Sequence, residues 1–314
     1  MDLGVQIEPQ FGFKLEDVVA IANDARAAGF TRLWVSDHFF NDADAVATDC
    51  LEAWSLLTAL AVKTEGIRIG AMVTCQSYRN PALLAKIAAG VDVMSGGRLE
   101  FGVGAGWKEI EYRGYGYPFP DGATRVSQLI DTLEICTRMW KEERATFHGK
   151  HYRIDDALCS PKPLQNPLPI WIGGSKPRVM RAAARYASAF NFNLGTSAQT
   201  ATLKTAMREM DEYCTAVKRD PSTLLRSSFL MSTVGATPAR SDALLKEFAT
   251  QAGTSPAKIL EQRPGLLRET PERALARLRE YATLGIAHVN IMFQPYGSER
   301  EQIAALAGIV PKLA

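Results

Sequence analysis

An acid and an imidazole, Asp37 and His38, stand side by side where an apolar run ends, in LWVSDHFF (33–40). Imidazole titrates near pH ~6.5, so it can give or take a proton at neutral pH. A neighbouring carboxylate can orient it or hydrogen-bond a heterocycle. The same pair also suits an ordinary loop, with a capping acid and a locally satisfied ring. A second stretch, GVGAGW (102–107), puts glycines where a flat ring or a phosphate could approach the backbone. It is not G-x-G-x-x-G, because its third glycine falls one residue early. Its other reading is a tight turn. Trp107, just beyond, suits either the roof over a planar ligand or a core aromatic. A third stretch, GGSKPR (173–178), places small residues and Ser175 before a helix, with Lys176 and Arg178 adding charge. Free N–H groups, the helix dipole and two cations make an anion site, or else a plain capped helix. No H-E-x-x-H occurs, and His148, His151 and His288 show no ligand spacing with His38, so no metal is expected. The absence of G-x-S-x-G argues against a hydrolase elbow.

Short apolar runs alternating with helical periodicity must position these stretches. Strands are expected at 3–8, 31–36, 67–73, 99–104, 169–174, 190–194, 229–235 and 288–293. Between them, Leu84, Ile87, Ala88 and Val91 mark one helix face, started by Asn80-Pro81. Eight βα units in order predict a single domain over 1–314, a (β/α)8 TIM barrel with insertions after strands 4 and 7. An open doubly wound sheet shares the same local pattern. The insertions are the excursions 144–168 and 236–270, expected to shape a substrate pocket. In a barrel, working residues lie at the C-terminal strand ends, where all three stretches fall.

Composition narrows the class. Of 314 residues, 46% are hydrophobic and 22% charged, and the net charge is +2, which points to neither nucleic acid nor membrane. Five dispersed cysteines fit reduced thiols in a cytoplasmic protein. No signal peptide or membrane helix is expected.

At these residues the sequence resembles the luciferase-like monooxygenase family, in particular its branch using the deazaflavin coenzyme F420. The resemblance is densest in WVSDHF (34–39), SYRNPALLAK (77–86), DVMSGGRLEFGVGAGW (92–107), YGYPFP (115–120) and PIWIGGSKPR (169–178). It implies a barrel with the cofactor across its C-terminal mouth. Met72 and Val73 match a bulge that often carries a non-proline cis peptide. Thr74 and Cys75 would line the ring edge, Ala105 and Gly106 would pass beside it, and Gly174, Ser175, Lys176 and Arg178 match the phosphate region. Asp37 and His38 match the pair beside the deazaflavin in the branch's sugar-phosphate dehydrogenase, with His38 handling a proton and Asp37 fixing His38 or the ring. That enzyme carries a catalytic Glu where this chain has Trp107, which counts against glucose-6-phosphate as substrate. Glu109 and Glu111 follow but need not point at the substrate. Trp107 and Asn193 fall at substrate-side positions.

The implied activity is hydride transfer between coenzyme F420 and a small organic substrate, in a homodimer. The alternative is an FMN-dependent two-component monooxygenase that activates dioxygen and is fed by a separate cofactor reductase. A binding protein on a retired barrel, or a phosphosugar enzyme without a redox cofactor, are further readings.

Overall fold

The computed structural model describes residues 1–192 and 200–313. Its strands are β1 (Asp2–Ile7), β2 (Arg32–Val35), β3 (Arg68–Ala71), β4 (Thr74–Cys75), β5 (Leu99–Gly104), β6 (Ala145–His148), β7 (Arg153–Ala157), β8 (Ile170–Gly174), β9 (Ala189–Phe192), β10 (Leu225–Ser232) and β11 (His288–Phe293). The helices are α1 (Leu15–Ala27), α2 (Ala53–Lys63), α3 (Pro81–Met94), α4 (Glu109–Gly114), α5 (Gly122–Lys141), α6 (Pro177–Tyr186), α7 (Thr200–Ala216), α8 (Pro238–Gln251), α9 (Pro256–Gln262), α10 (Pro271–Thr283) and α11 (Glu299–Leu306).

The large sheet runs β3-β2-β1-β11-β10-β9-β8-β5, all parallel, and β3 also pairs with β5. That pairing closes it into a barrel of eight staves and excludes the open sheet. β4 continues the third stave after the Met72–Val73 peptide, which is cis, and pairs with Val103 and Gly104.

Alternation along the staves sorts the side chains. Leu3, Val5, Leu33, Ile69, Phe101, Ile172, Val289 and Ile291 join the core beneath the helices. The alternate set faces inward and is unlike it. Trp34 and Trp171 meet edge to face, their ring centroids 4.8 Å apart, and Trp34 Nε1 donates to His288 Nε2 at 3.2 Å. Burial holds His288 well below its usual pKa, with the charge of Arg32 acting the same way, so the ring stays neutral. Glu100 accepts from Trp171 Nε1 at 2.6 Å and from Arg32 at 3.1 Å. Glycines make room for these rings. A Cβ on Gly70 would stand 2.7 Å from Trp34, and one on Gly4 would stand 2.8 Å from His288. These groups fill the N-terminal half of the barrel among the described residues.

Two expected elements differ. The seventh stave spans Leu225–Ser232, not 229–235. Its first half carries the polar residues Arg226, Ser227 and Ser228, and Ser227 Oγ donates to Asn191 Oδ1 at 2.9 Å inside the barrel, so a search for apolar runs starts too late. The excursion 144–168 is not wholly irregular. It opens as an antiparallel hairpin, β6–β7, beside α5, where Asp131 accepts the N–H groups of His151 (2.6 Å) and Tyr152 (3.2 Å). Asn80 caps α3 as expected, accepting from Ala82 N at 2.9 Å.

The tightest approach in the barrel is at Gly102, where a Cβ would stand 1.8 Å from the Ala71 carbonyl oxygen. Backbone cannot rotate aside as a side chain can. Gly102→Ala is expected to cost about 3 kcal/mol, read as a lower urea midpoint at unchanged slope.

Candidate active site

The C-terminal mouth holds a cavity of about 940 Å³. Its floor is the top inward layer of the barrel: Gln6, Ser36, Met72, Gly104, Gly173, Asn191, Phe229 and Met292. Asp37, His38, Val73, Cys75, Ala105, Gly106, Trp107, Gly174, Ser175, Lys176 and Arg178 also line it. Four separate turns thus meet at one rim. Thr74 does not reach the cavity: it is fully buried, and its Oγ1 has no hydrogen-bond partner among the described residues. Asn193 lies outside the described residues. Neither excursion contributes to this lining among the described residues. The segment from α8 to α9 borders a different cavity of about 1120 Å³, together with Phe11, Tyr296 and Glu299.

Local geometry explains the glycines of 102–107. Gly106 adopts φ +78°, and a Cβ there would fall 2.0 Å from Tyr112 Oη and 2.7 Å from Cys75 Sγ. Any side chain would break the contact between the turn and the wall carrying Cys75. Burial pushes the Cys75 thiol up to about 11, so it stays protonated beside Tyr112 Oη at 3.1 Å.

Asp37 and His38 do not pair with each other. Asp37 accepts two hydrogen bonds from Arg79, at 2.7 and 2.9 Å, and one from Cys75 N at 2.9 Å. It ties the second stave's turn to the third. The partner of His38 is Glu111, whose carboxylate lies 3.0 and 3.1 Å from Nδ1. Glu111 is completely buried on α4. It also accepts from Tyr78 Oη at 2.7 Å, Phe39 N at 3.0 Å and Lys108 Nζ at 3.2 Å. The ring centroid of Trp107 stands 5.7 Å from that of His38, edge to face. Trp107 is 70% exposed, so it is a rim residue and not a core aromatic. In the sequence Glu111 is an acid near Trp107 with no assigned role, because only the packing of α4 under the turn after β2 brings it to His38. Its i,i+3 offset from Lys108 was the sole local sign.

The 173–178 turn departs by one residue from expectation. α6 starts at Pro177, so Lys176 and not Ser175 holds the cap position. Arg178 Nη1 donates to the Ala123 carbonyl at 3.1 Å, and neither Lys176 nor Arg178 is ion-paired among the described residues. Two cations without counter-charges on a cavity rim fit an anionic group. The floor of Met72, Val73, Phe229 and Met292, walled by Gly104–Gly106, fits a flat apolar ring. Among the described residues no cluster could hold a metal ion.

Burial by itself would raise the Glu111 pKa. The hydrogen bond and charge of His38, with the donors of Tyr78 and Phe39, outweigh it and hold the carboxyl at about 2, against an ordinary 4.5. A depressed folded-state pKa stabilises fully above the unfolded value and is lost as pH falls through the folded one. Glu111→Gln is therefore expected to cost about 3 kcal/mol at neutral pH. The gap to wild type should shrink between about pH 5 and 2, as followed by denaturant titration.

Comparisons with known proteins agree with this geometry. Residues 2–307 match the family model described as luciferase-like monooxygenase. An F420-dependent glucose-6-phosphate dehydrogenase of Amycolatopsis mediterranei is 26% identical over 97% of this chain and 96% of its own. An F420-dependent hydroxymycolic acid dehydrogenase of Mycobacterium tuberculosis is 29% identical over 71% of this chain and 60% of its own length. Among solved structures, an F420-dependent secondary alcohol dehydrogenase with an F420–acetone adduct superimposes with a TM-score of 0.84, covering 100% of this chain and 99% of that one at 20% identity. A closed eight-stave barrel whose second to fifth turns converge on one mouth, matched along almost its whole length, places this chain in the luciferase-like monooxygenase family.

Proposed function

We propose that this chain is a coenzyme F420-dependent oxidoreductase that moves a hydride between the deazaflavin and the hydroxyl- or carbonyl-bearing carbon of a small organic substrate. The observation that carries this reading is the setting of His38. Its Nδ1 is committed to Glu111, and Nε2 has no hydrogen-bond partner among the described residues although the residue lines the cavity. A ring nitrogen in that position suits a group that takes a hydroxyl proton and returns it. Both sequence relatives described above bear the names of dehydrogenases.

When bound, the deazaflavin supplies the two-electron chemistry at C5. The protein's part is position and proton control. Met72, Val73, Ala105 and Gly106, which line the cavity, would hold the ring. Gly174, Ser175, Lys176 and Arg178 would receive the phosphate through backbone N–H groups and charge. Trp107 walls the substrate side and restricts the approach of water to His38. Asp37 holds the turn that carries His38 through its Arg79 pair. The chain would act as one domain in the cytoplasm, as a homodimer with small molecules as its other partners. No helix among the described residues is long and apolar enough to cross a membrane.

Fluorescence titration of the cofactor-free protein with F420 and with FMN is the first test. Tight F420 binding with substrate turnover and no oxygen uptake is expected. FMN binding with dioxygen consumption in the presence of a reductase would replace this reading by the two-component monooxygenase. His38→Ala should lower turnover by about 10²–10⁴-fold while leaving F420 affinity nearly unchanged. Unchanged turnover would remove His38 from the proton step.

A further inference from the structure

The fate of Glu111 bears directly on what His38 can do. A buried carboxylate so densely supplied with donors has one evident task, which is to pin the chain after β2 to α4. Phe39 N and Tyr78 Oη serve that task, as does Lys108, which spans Glu111 and the Phe40 carbonyl. The contact to His38 is different in kind. It reaches a side chain that lines the cavity and engages one particular ring nitrogen, Nδ1, with both carboxylate oxygens in range at 3.0 and 3.1 Å.

We propose that Glu111 is the positioning residue of the proton-handling site, fixing His38 with Nδ1–H toward the carboxylate and Nε2 toward the cavity. This rests on the dehydrogenase reading above. Three features of the molecule argue for it. The carboxylate is wholly buried and ionised, so it can only accept at Nδ1, and a neutral ring must then carry its proton there. The unprotonated nitrogen of that tautomer is Nε2, the atom a substrate hydroxyl would need. Trp107 also meets the imidazole edge to face, with ring centroids 5.7 Å apart.

As the substrate carbon gives its hydride, with both electrons of the C–H bond, to C5 of the deazaflavin, the hydroxyl O–H bond breaks. An Nε2–H bond forms, and the product is a carbonyl compound. The new positive charge on the ring lies beside the carboxylate of Glu111, which neutralises it without taking the proton. In reverse, Nε2–H protonates the carbonyl oxygen. Asp37 cannot serve this role, since both its oxygens are held by Arg79.

The test uses the cofactor-free protein first. The chain has four histidines, so ¹⁵N-histidine labelling with a His38→Asn reference assigns the signal. At a pH high enough for the ring to be neutral, long-range ¹H–¹⁵N spectra of the wild type should show His38 protonated at Nδ1. Protonation at Nε2 would overturn the proposal outright. In Glu111→Gln the signals should shift toward the mixed or Nε2–H form. With F420 and a turned-over alcohol, the kcat of that variant should fall by about 10²–10⁴-fold, the range lost when an orienting carboxylate loses its charge, with KM changed far less. A folded Glu111→Gln protein with wild-type kcat would equally overturn it. If the Gln variant does not fold, Glu111→Asp, which keeps the charge but withdraws it from Nδ1, is expected to show the same kcat loss. Failure of the dehydrogenase reading is separable: it appears as absent F420 binding and leaves the tautomer of His38 in the cofactor-free protein to decide on Glu111.

Discussion

Closing eight parallel staves into a barrel fixes the amount of interior space, and everything at the mouth depends on how that space is filled. Here the lower half is occupied by the rings of Trp34, Trp171 and His288 and by the charges gathered on Glu100. Such large groups fit only because Gly4 and Gly70 present bare backbone opposite them. The upper layer is assembled from smaller or flexible residues, among them Gly104, Gly173, Ser36 and Met72, and leaves a cavity. One sequence of small and large residues thus makes a solid base and a hollow top.

The mouth is then stiffened by ion pairs that run between neighbouring turns rather than within them. Asp37–Arg79 binds the turn after β2 to that after β4, and Arg79 also reaches Glu52. His38–Glu111 binds the turn after β2 to α4, and Lys108 reaches from the start of α4 to the Phe40 carbonyl of the same turn. A stacked set of rings, Phe39 against Tyr78 and Tyr115, packs behind them. Residues that would otherwise be mobile loop positions become parts of one rigid rim. Precise placement of proton-transfer groups requires such support.

Much of this is legible in the sequence, for identifiable reasons. Strands buried on both faces leave apolar runs, and their ends are marked by the first polar or glycine residues, so Asp37, His38, 102–107 and 173–178 announce themselves. The Asn80-Pro81 start is local chemistry and is equally readable. What is not legible depends on tertiary packing. Ser227 and Ser228 hide the start of β10 because both are buried yet polar, Ser227 facing the barrel interior and Ser228 the opposite side. Glu111 looks like one more acid on a short helix until α4 folds beneath His38. The pairing expected between adjacent residues 37 and 38 yields to two longer-range pairs, since successive side chains leaving a strand point in opposite directions.

The segment between β10 and α10 carries a small apolar cluster of its own, Leu245, Phe248, Ala249, Ile259 and Leu266, apart from the main core. A wide hollow lies beside it, bordered also by the turn after β1 and that after β11. Because this appendage closes largely on itself, it can be lengthened, trimmed or rewritten while the eight staves keep their register. Inherited variation is tolerated most where rebuilding leaves the frame untouched. Such rewriting would reshape a hollow on the same rim as His38, since Asn41 of the turn after β2 also borders it.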